Sequence, residues 1–198
     1  MPNIFMKHFL PGLCLLMLAL NSSGDQPAAA DTQAQAEAAK AAIKDLAGAL
    51  QKELKHAMQL GGPVAAIGLC NTRAMPITRE VATDQGLTLS RVSLKNRNPA
   101  NQPNEWQAAV LKDFEQQKAA GKDIHGLAWS ETVSVDGERE FRFMKAIPTQ
   151  AVCLNCHGTD ISPDVSLILA GLYPEDRATG YREGDIRGAF VATRKFPN

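Results

Sequence analysis

A β-hairpin is predicted where residues 129–147 read WSETVSVDGEREFRFMKAI. Apolar and polar side chains alternate on both sides of Asp136-Gly137, a dipeptide typical of tight hairpin turns. A two-residue loop would place Phe141 and Phe143 opposite polar residues, whereas a three-residue loop would place them on the face of Val133. Because one buried face should collect the apolar side chains, we expect an odd loop length with a bulge.

Helices are predicted ahead of this hairpin. Apolar residues recur at helical spacing from Asp31 to Leu60, and Gly61-Gly62-Pro63 should end that helix and open the next. The shorter second helix carries Cys70 on its apolar side, and Pro76 allows a further segment up to Gly86. The other predicted elements are a strand over Leu87–Leu94, a polar loop over 96–103, a helix over Asn104–Ala120, a loop-rich stretch over 158–185 and a final strand over Ile186–Phe196.

A haem-attachment motif follows the hairpin, because Cys153-Leu154-Asn155-Cys156-His157 has the pattern C-x-x-C-H. Two thiols at this spacing reach the two vinyl groups on one edge of a porphyrin, and the next residue places an imidazole under the iron. The motif therefore predicts one covalent haem c, attached through Cys153 and Cys156, with His157 as an iron ligand.

Other functions of a C-x-x-C pair fit this sequence less well. A thioredoxin-type site expects the pair to open a helix within a βαβ unit, and a structural zinc site expects a second pair of ligands. A plain disulfide between Cys153 and Cys156 explains neither His157 nor the additional cysteine, Cys70.

The N-terminal residues indicate export. Lys7 and His8 precede an apolar run from Phe9 to Leu20 that is shorter than the roughly 20 residues a membrane span needs. Ala28-Ala29-Ala30 supplies a cleavage site, so we expect residues 1–30 to be a secretory signal peptide. Residues 31–198 would then form one soluble periplasmic domain with no stable membrane insertion; the alternative is an uncleaved N-terminal membrane anchor.

Composition limits the classes of partner. The chain has 198 residues, and its 21 Lys and Arg balance its 21 Asp and Glu, so its formal net charge is zero. A chain without a basic surplus is not expected to bind nucleic acid. Its length and 44% hydrophobic content suit a single domain with its own core.

The second axial ligand is open from the residues alone. Removal of the signal peptide would leave Cys70 as the one cysteine outside the motif, and a thiolate is a strong ligand for ferric iron. The other candidates are His56, His125, Met58, Met75 and Met144. Among the basic residues, Arg97 is our first choice for pairing with a haem propionate, because its polar loop is otherwise unexplained.

The whole set resembles a family of single-haem c-type proteins with a PAS-like fold, long catalogued as a domain of unknown function. The matching stretches are Ala66–Cys70, Ser93–Asn101 followed by Trp106, Phe141–Phe143, Cys153–His157 and Gly180–Ala189. The resemblance implies an α+β fold with a central antiparallel sheet flanked by helices. It also implies axial ligation by the motif histidine and an upstream cysteine, here His157 and Cys70.

A haem with both axial positions filled by protein favours electron transfer or redox sensing over catalysis. We therefore expect no enzyme activity, and we expect an unidentified redox or signalling protein as partner. The alternative is a sensor of diatomic gases. Because the sequence ends at Asn198, where we expect this domain to end, such a sensor would work through a separate partner. A haem peroxidase is the weakest alternative, since it needs an open distal site with a general base.

Overall fold

The computed structural model describes residues 26–196, with side chains from Asp31 onward. A long helix, α1 (Gln26–Gln85), is interrupted at Gly61 and Gly62, and Gly62 adopts the positive φ of 66° that suits glycine. This is the break that the sequence predicts, with Pro63 opening the second part. The predicted signal peptide lies outside the described residues except for residues 26–30, which belong to the start of α1. Within the described part of the chain, no helix is long and apolar enough to cross a membrane.

Four antiparallel strands form one sheet in the order β1-β4-β3-β2. The strands are β1 (Thr88–Val92), β2 (Ala128–Val135), β3 (Glu138–Pro148) and β4 (Ile186–Phe196). The last strand has the predicted bounds and lies between β1 and β3, although β1 is far from it in sequence. The fold is therefore α+β with a central antiparallel sheet flanked by helices, as predicted.

Both faces of the sheet are buried. One face packs against α1, where Leu46 meets Phe141 and Phe143. The other face packs against α2 (Glu105–Ala119), whose Phe114 joins Met144 in a second apolar cluster. Helix α2 begins within a residue of its predicted start. Asn104 caps it, with its side chain accepting a hydrogen bond from the backbone N–H of Gln107.

The hairpin prediction was wrong in its loop length. Val135 pairs with Glu138, so Asp136 and Gly137 form a two-residue turn with φ of 53° and 81°. Positive φ at both positions is the geometry whose twist matches the flanking strands. The expectation of an odd loop assumed that only one face of the sheet is buried. Here Phe141 and Phe143 of β3 face α1, whereas Trp129 of β2 packs on the α2 side of the sheet. Apolar side chains on both faces are therefore buried, and no bulge is needed.

The stretch after the C-x-x-C-H motif is less loop-rich than predicted, because it contains α4 (Pro163–Leu172). The Ser162 side chain accepts a hydrogen bond from the Val165 N–H, and Pro163 occupies the first turn. Serine followed by proline is a recognisable helix start, which the abundance of glycine and proline nearby obscured. Val165 and Leu169 bury their side chains against Ile67 of α1.

Candidate functional site

The attachment motif forms a compact helical turn. A 3₁₀ turn (Ala151–Cys153) leads directly into α3 (Leu154–His157). Residues three apart on a helical turn lie on the same side, so Cys153 and Cys156 present their thiols together. Both are free and partly buried. Cys156 packs beside Ile67, and burial raises the pKa of its thiol while the positive charge of Arg97 lowers it.

His157 is fixed at both its ring and its backbone. Its Nδ1 lies 2.7 Å from the carbonyl oxygen of Ala178, and its own carbonyl accepts a hydrogen bond from the Tyr181 N–H at 2.9 Å. Because a carbonyl can only accept, Nδ1 carries the proton and Nε2 keeps its lone pair, as a metal-ligating histidine requires. Burial, together with the positive charge of Arg187, lowers the pKa of His157 to about 3, so the ring is neutral at physiological pH.

Residues 176–181 form a loop that is hydrogen-bonded to the backbone at the end of the motif, and we call it the 176–181 loop. The Gly180 N–H donates to the Gly158 carbonyl at 2.8 Å, next to the backbone bond between Tyr181 and His157. A side chain at position 158 would collide with the preceding helical turn, since a Cβ there would lie 2.6 Å from the Leu154 oxygen. Glycine is therefore needed where this helical turn ends and the Gly158 N–H donates to the Leu154 carbonyl at 2.9 Å.

Arg97 connects the predicted polar loop to this assembly. Its Nε lies 2.9 Å from Asp176, and its Nη2 donates to the carbonyls of Cys156 and Ala178. The other carboxylate oxygen of Asp176 accepts a hydrogen bond from the Ala178 N–H at 2.7 Å. The Ala178 carbonyl that orients His157 is thus held by Arg97. These contacts give Arg97 protein partners, and its pairing with a propionate stays a prediction.

Cys70 lies on the second part of α1, on the side of the molecule that carries the motif. Ile67, one turn before it, belongs to the same apolar cluster as Cys156. The Cys70 side chain is exposed, but the surrounding protein removes enough water for desolvation to raise its thiol pKa, whereas Arg91 and Arg97 lower it. The structure therefore brings Cys70 into the electrostatic neighbourhood of Cys156.

The remaining ligand candidates lie in different settings. Met144 is completely buried between the sheet and α2, where it serves as core. His56 is exposed on the first part of α1, before the break, and Met58 and Met75 are half-buried. His125 lines an open cleft of about 780 Å³ with Ala151 and Val152, just ahead of the motif. None of Cys70, Cys153, Cys156 and His157 lines that cleft, so it is not the site described above.

Sequence reasoning missed Arg187 and the role of Tyr181. Arg187 donates from Nη1 to the Ser93 hydroxyl at 3.1 Å, and its guanidinium lies 5.3 Å from the centre of the Tyr181 ring. Its Nε is buried and has no hydrogen-bond partner within residues 31–196. The signal in the sequence was the position of Arg187 within the predicted final strand, next to Ile186. A charged residue at the start of a strand with many apolar residues could have been recognised as a candidate site residue.

Comparison with known proteins places this geometry in a family. The sequence model of the Tll0287-like family matches residues 25–194. A solved structure described as the cyanobacterial heme-protein Tll0287 shares 28% sequence identity with this chain. The alignment covers 61% of this chain and 70% of the Tll0287 chain, with a TM-score of 0.49. No curated protein matched the chain significantly. Because the family match spans most of the sequence, the chain belongs to the Tll0287-like family.

Proposed function

We propose that this chain is an exported protein with one covalent haem c that acts in electron transfer or redox sensing. The observation that carries the proposal is the arrangement of His157. Its Nδ1 is tied to the Ala178 carbonyl and its Nε2 is left with a lone pair, on the same helical turn that presents Cys153 and Cys156. The match to a family with a heme-protein member supports the cofactor.

The residues present fit a haem. Cys153 and Cys156 would attach it, and His157 and Cys70 would ligate the iron. An apolar wall from α1, α4 and the residues flanking α4 lies beside the motif, formed by Ile67, Ile161, Val165, Ile168, Leu169 and Tyr173. Arg187 supplies a buried N–H that lacks a partner among the described residues, as expected beside an anionic group. When bound, haem supplies a reversible one-electron couple.

The protein's own contribution is to hold and tune this couple. The 176–181 loop fixes the orientation of His157 through both its ring and its backbone. A thiolate from Cys70 as second ligand would favour a low reduction potential, whereas methionine ligation would raise it. If His157 and Cys70 both ligated the iron, a substrate would have no iron site to occupy, which favours a carrier or sensor over an enzyme.

Gas sensing through a separate partner is the second candidate, and the setting of Cys70 favours it. Cys70 is exposed, and it lies eight residues after the break at Gly62. A ligand at the protein surface beside a helix break is easier to displace than one locked in the core, as Met144 is. In either reading the partner would be a redox or signalling protein.

Expression in a periplasm that matures c-type cytochromes tests the proposal directly. We expect haem staining of the denatured band on a gel, with a leader-deleted chain as the control that stays unstained because attachment occurs outside the cytoplasm. A mature periplasmic protein without haem stain would refute the proposal.

A further inference from the structure

Three arginines converge on the candidate site with one carboxylate between them. The Arg187 guanidinium lies 5.3 Å from the centre of the Tyr181 ring, and that ring lies edge-on to His157 with the centroids 6.3 Å apart. Arg97 donates to the Ala178 carbonyl that orients His157, and Arg91 lies within electrostatic reach of Cys70. Asp176 is fully engaged with Arg97 and the Ala178 N–H. Arg91 and Arg187 form no ion pair with any described residue, so both of their charges are unpaired in surroundings that are largely desolvated.

Neither Arg91 nor Arg187 has a carboxylate among the groups that act on it. Burial lowers the pKa of both, and the only described groups of opposite charge that act on them are the weak acids Cys70 and Tyr173 for Arg91 and Tyr181 for Arg187. Buried charge is costly unless it is paired. Some anionic group from outside the described chain is the natural partner.

Each arginine also has side-chain donors without a partner among the described residues. The Arg91 side chain makes no hydrogen bond and no ion pair with any residue that the structure describes, although the residue is half-buried on β1. Arg187 donates hydrogen bonds from Nη1 to the Ser93 hydroxyl and to the Lys95 carbonyl. Its buried Nε has no partner in the described part of the chain. Contact with the Tyr181 ring holds the Arg187 guanidinium in place.

We propose that Arg91 and Arg187 bind the two propionate carboxylates of the haem, and that Arg97 is a positioning residue for the motif. This inference rests on the proposed function, since haem is the cofactor that brings two carboxylates to this site. Two carboxylates match the two unpaired guanidinium groups, whose planar shape suits carboxylate oxygens. The first choice made from the sequence, Arg97, is already occupied by Asp176 and two carbonyls.

Infrared spectroscopy of the holoprotein tests the assignment. Cells fed 5-aminolevulinate labelled with ¹³C at its carboxyl group make haem labelled in the propionates, so the redox-induced difference bands that move with the label belong to propionates. We expect these bands to shift in R91Q and in R187Q and to stay unchanged in R79Q, which alters an exposed arginine of the same α1 helix as Cys70. Labelled bands that are identical in wild type, R91Q and R187Q overturn the inference.

Two controls separate the explanations. Haem staining of the wild type comes first: an unstained wild type refutes the proposed function, whereas stained protein with unmoved bands refutes the arginine assignment alone. Should R187Q fail to accumulate, R187K can replace it. Lysine keeps the positive charge but lacks the planar guanidinium, so the bands are still expected to shift.

Inorganic phosphate is the second probe. If phosphate raises the melting temperature of wild type but not of R91Q while the labelled bands stay fixed, the pair binds free anions and the inference falls.

Discussion

Arg97 and Asp176 form a buried ion pair between segments that are far apart in sequence. Their Nε and Oδ2 atoms are 2.9 Å apart, and the two side chains are 11% and 10% exposed. Arg97 also reaches the carbonyls of Cys156 and Ala178, so this pair joins the 96–103 loop, the motif and the 176–181 loop. The orientation of His157 depends on the same Ala178 carbonyl. The pair therefore couples the stability of the fold to the geometry of the site.

We expect Asp176→Asn to destabilise the protein by about 3 kcal/mol, because removing one partner leaves the other charge buried and unpaired. Urea unfolding followed by circular dichroism measures the change. Lys40→Ala is the matched control, since it breaks the exposed pair with Glu37 and should cost less than about 1 kcal/mol. Equal costs in the two variants would mean that the buried pair has no special role.

The elements of this fold were largely predictable, and the site was predictable in part. The C-x-x-C-H spacing, the break at Gly61-Gly62 and the Asp136-Gly137 turn are local patterns, and local patterns are readable from one sequence. The loop length was mispredicted because sequence does not show that helices cover both faces of the sheet. The contacts of Arg97 and Arg187 join residues about 60 to 94 positions apart, so only the folded chain reveals them.

Asp185 is expected to make stability depend on pH. A hydrogen bond from Lys118 at 2.7 Å, aided by the Arg182 N–H, holds the pKa of Asp185 below its usual range. A carboxyl group whose pKa is lower in the folded state adds stability above its unfolded pKa of about 3.9 and loses it as pH falls through the folded value. Asp185→Asn should therefore cost about 1 kcal/mol at pH 7, a small amount because both partners are about a third exposed.

The measurement is the unfolding free energy of wild type and variant from pH 7 down to pH 2. The difference between them should shrink as the acid limit is approached. Asp160→Asn, at an exposed position, is the control and should show no such trend. A gap between wild type and D185N that stays constant with pH would contradict the ion-pair explanation.

Covalent attachment through Cys153 and Cys156 is expected to survive acid–acetone extraction, because thioether bonds hold the haem where axial ligation alone would not. In Cys156→Ser one thioether would remain, so the pyridine haemochrome band should move to longer wavelength while the haem stays bound. The control is Cys70→Ser, which should leave the haemochrome band unchanged. Colour that passes into the solvent from the wild type would contradict covalent attachment.

Cys70 is expected to be the second axial ligand. Electron paramagnetic resonance of the ferric protein should show a low-spin signal typical of thiolate ligation, and Cys70→Ala should lose it. His56→Ala is the control, since its exposed side chain lies on the other side of the break in α1 and should not alter the signal. A spectrum unaffected by Cys70→Ala, and altered instead by a variant of His125 or Met75, would reassign the ligand.

Carbon monoxide binding to the reduced protein distinguishes a carrier from a sensor. Electron transfer is fastest when ligation does not change with redox state, so a carrier should keep Cys70 in place and bind carbon monoxide slowly or not at all. A sensor needs the opposite, namely that Cys70, whose side chain is exposed, leaves the iron on reduction. We expect rapid binding of carbon monoxide if Cys70 leaves on reduction.

Cys70→Ala calibrates the measurement, because the sixth position of its iron would be open in both redox states. Wild-type binding as fast as that of the variant would support sensing, whereas binding many-fold slower would leave electron transfer as the function.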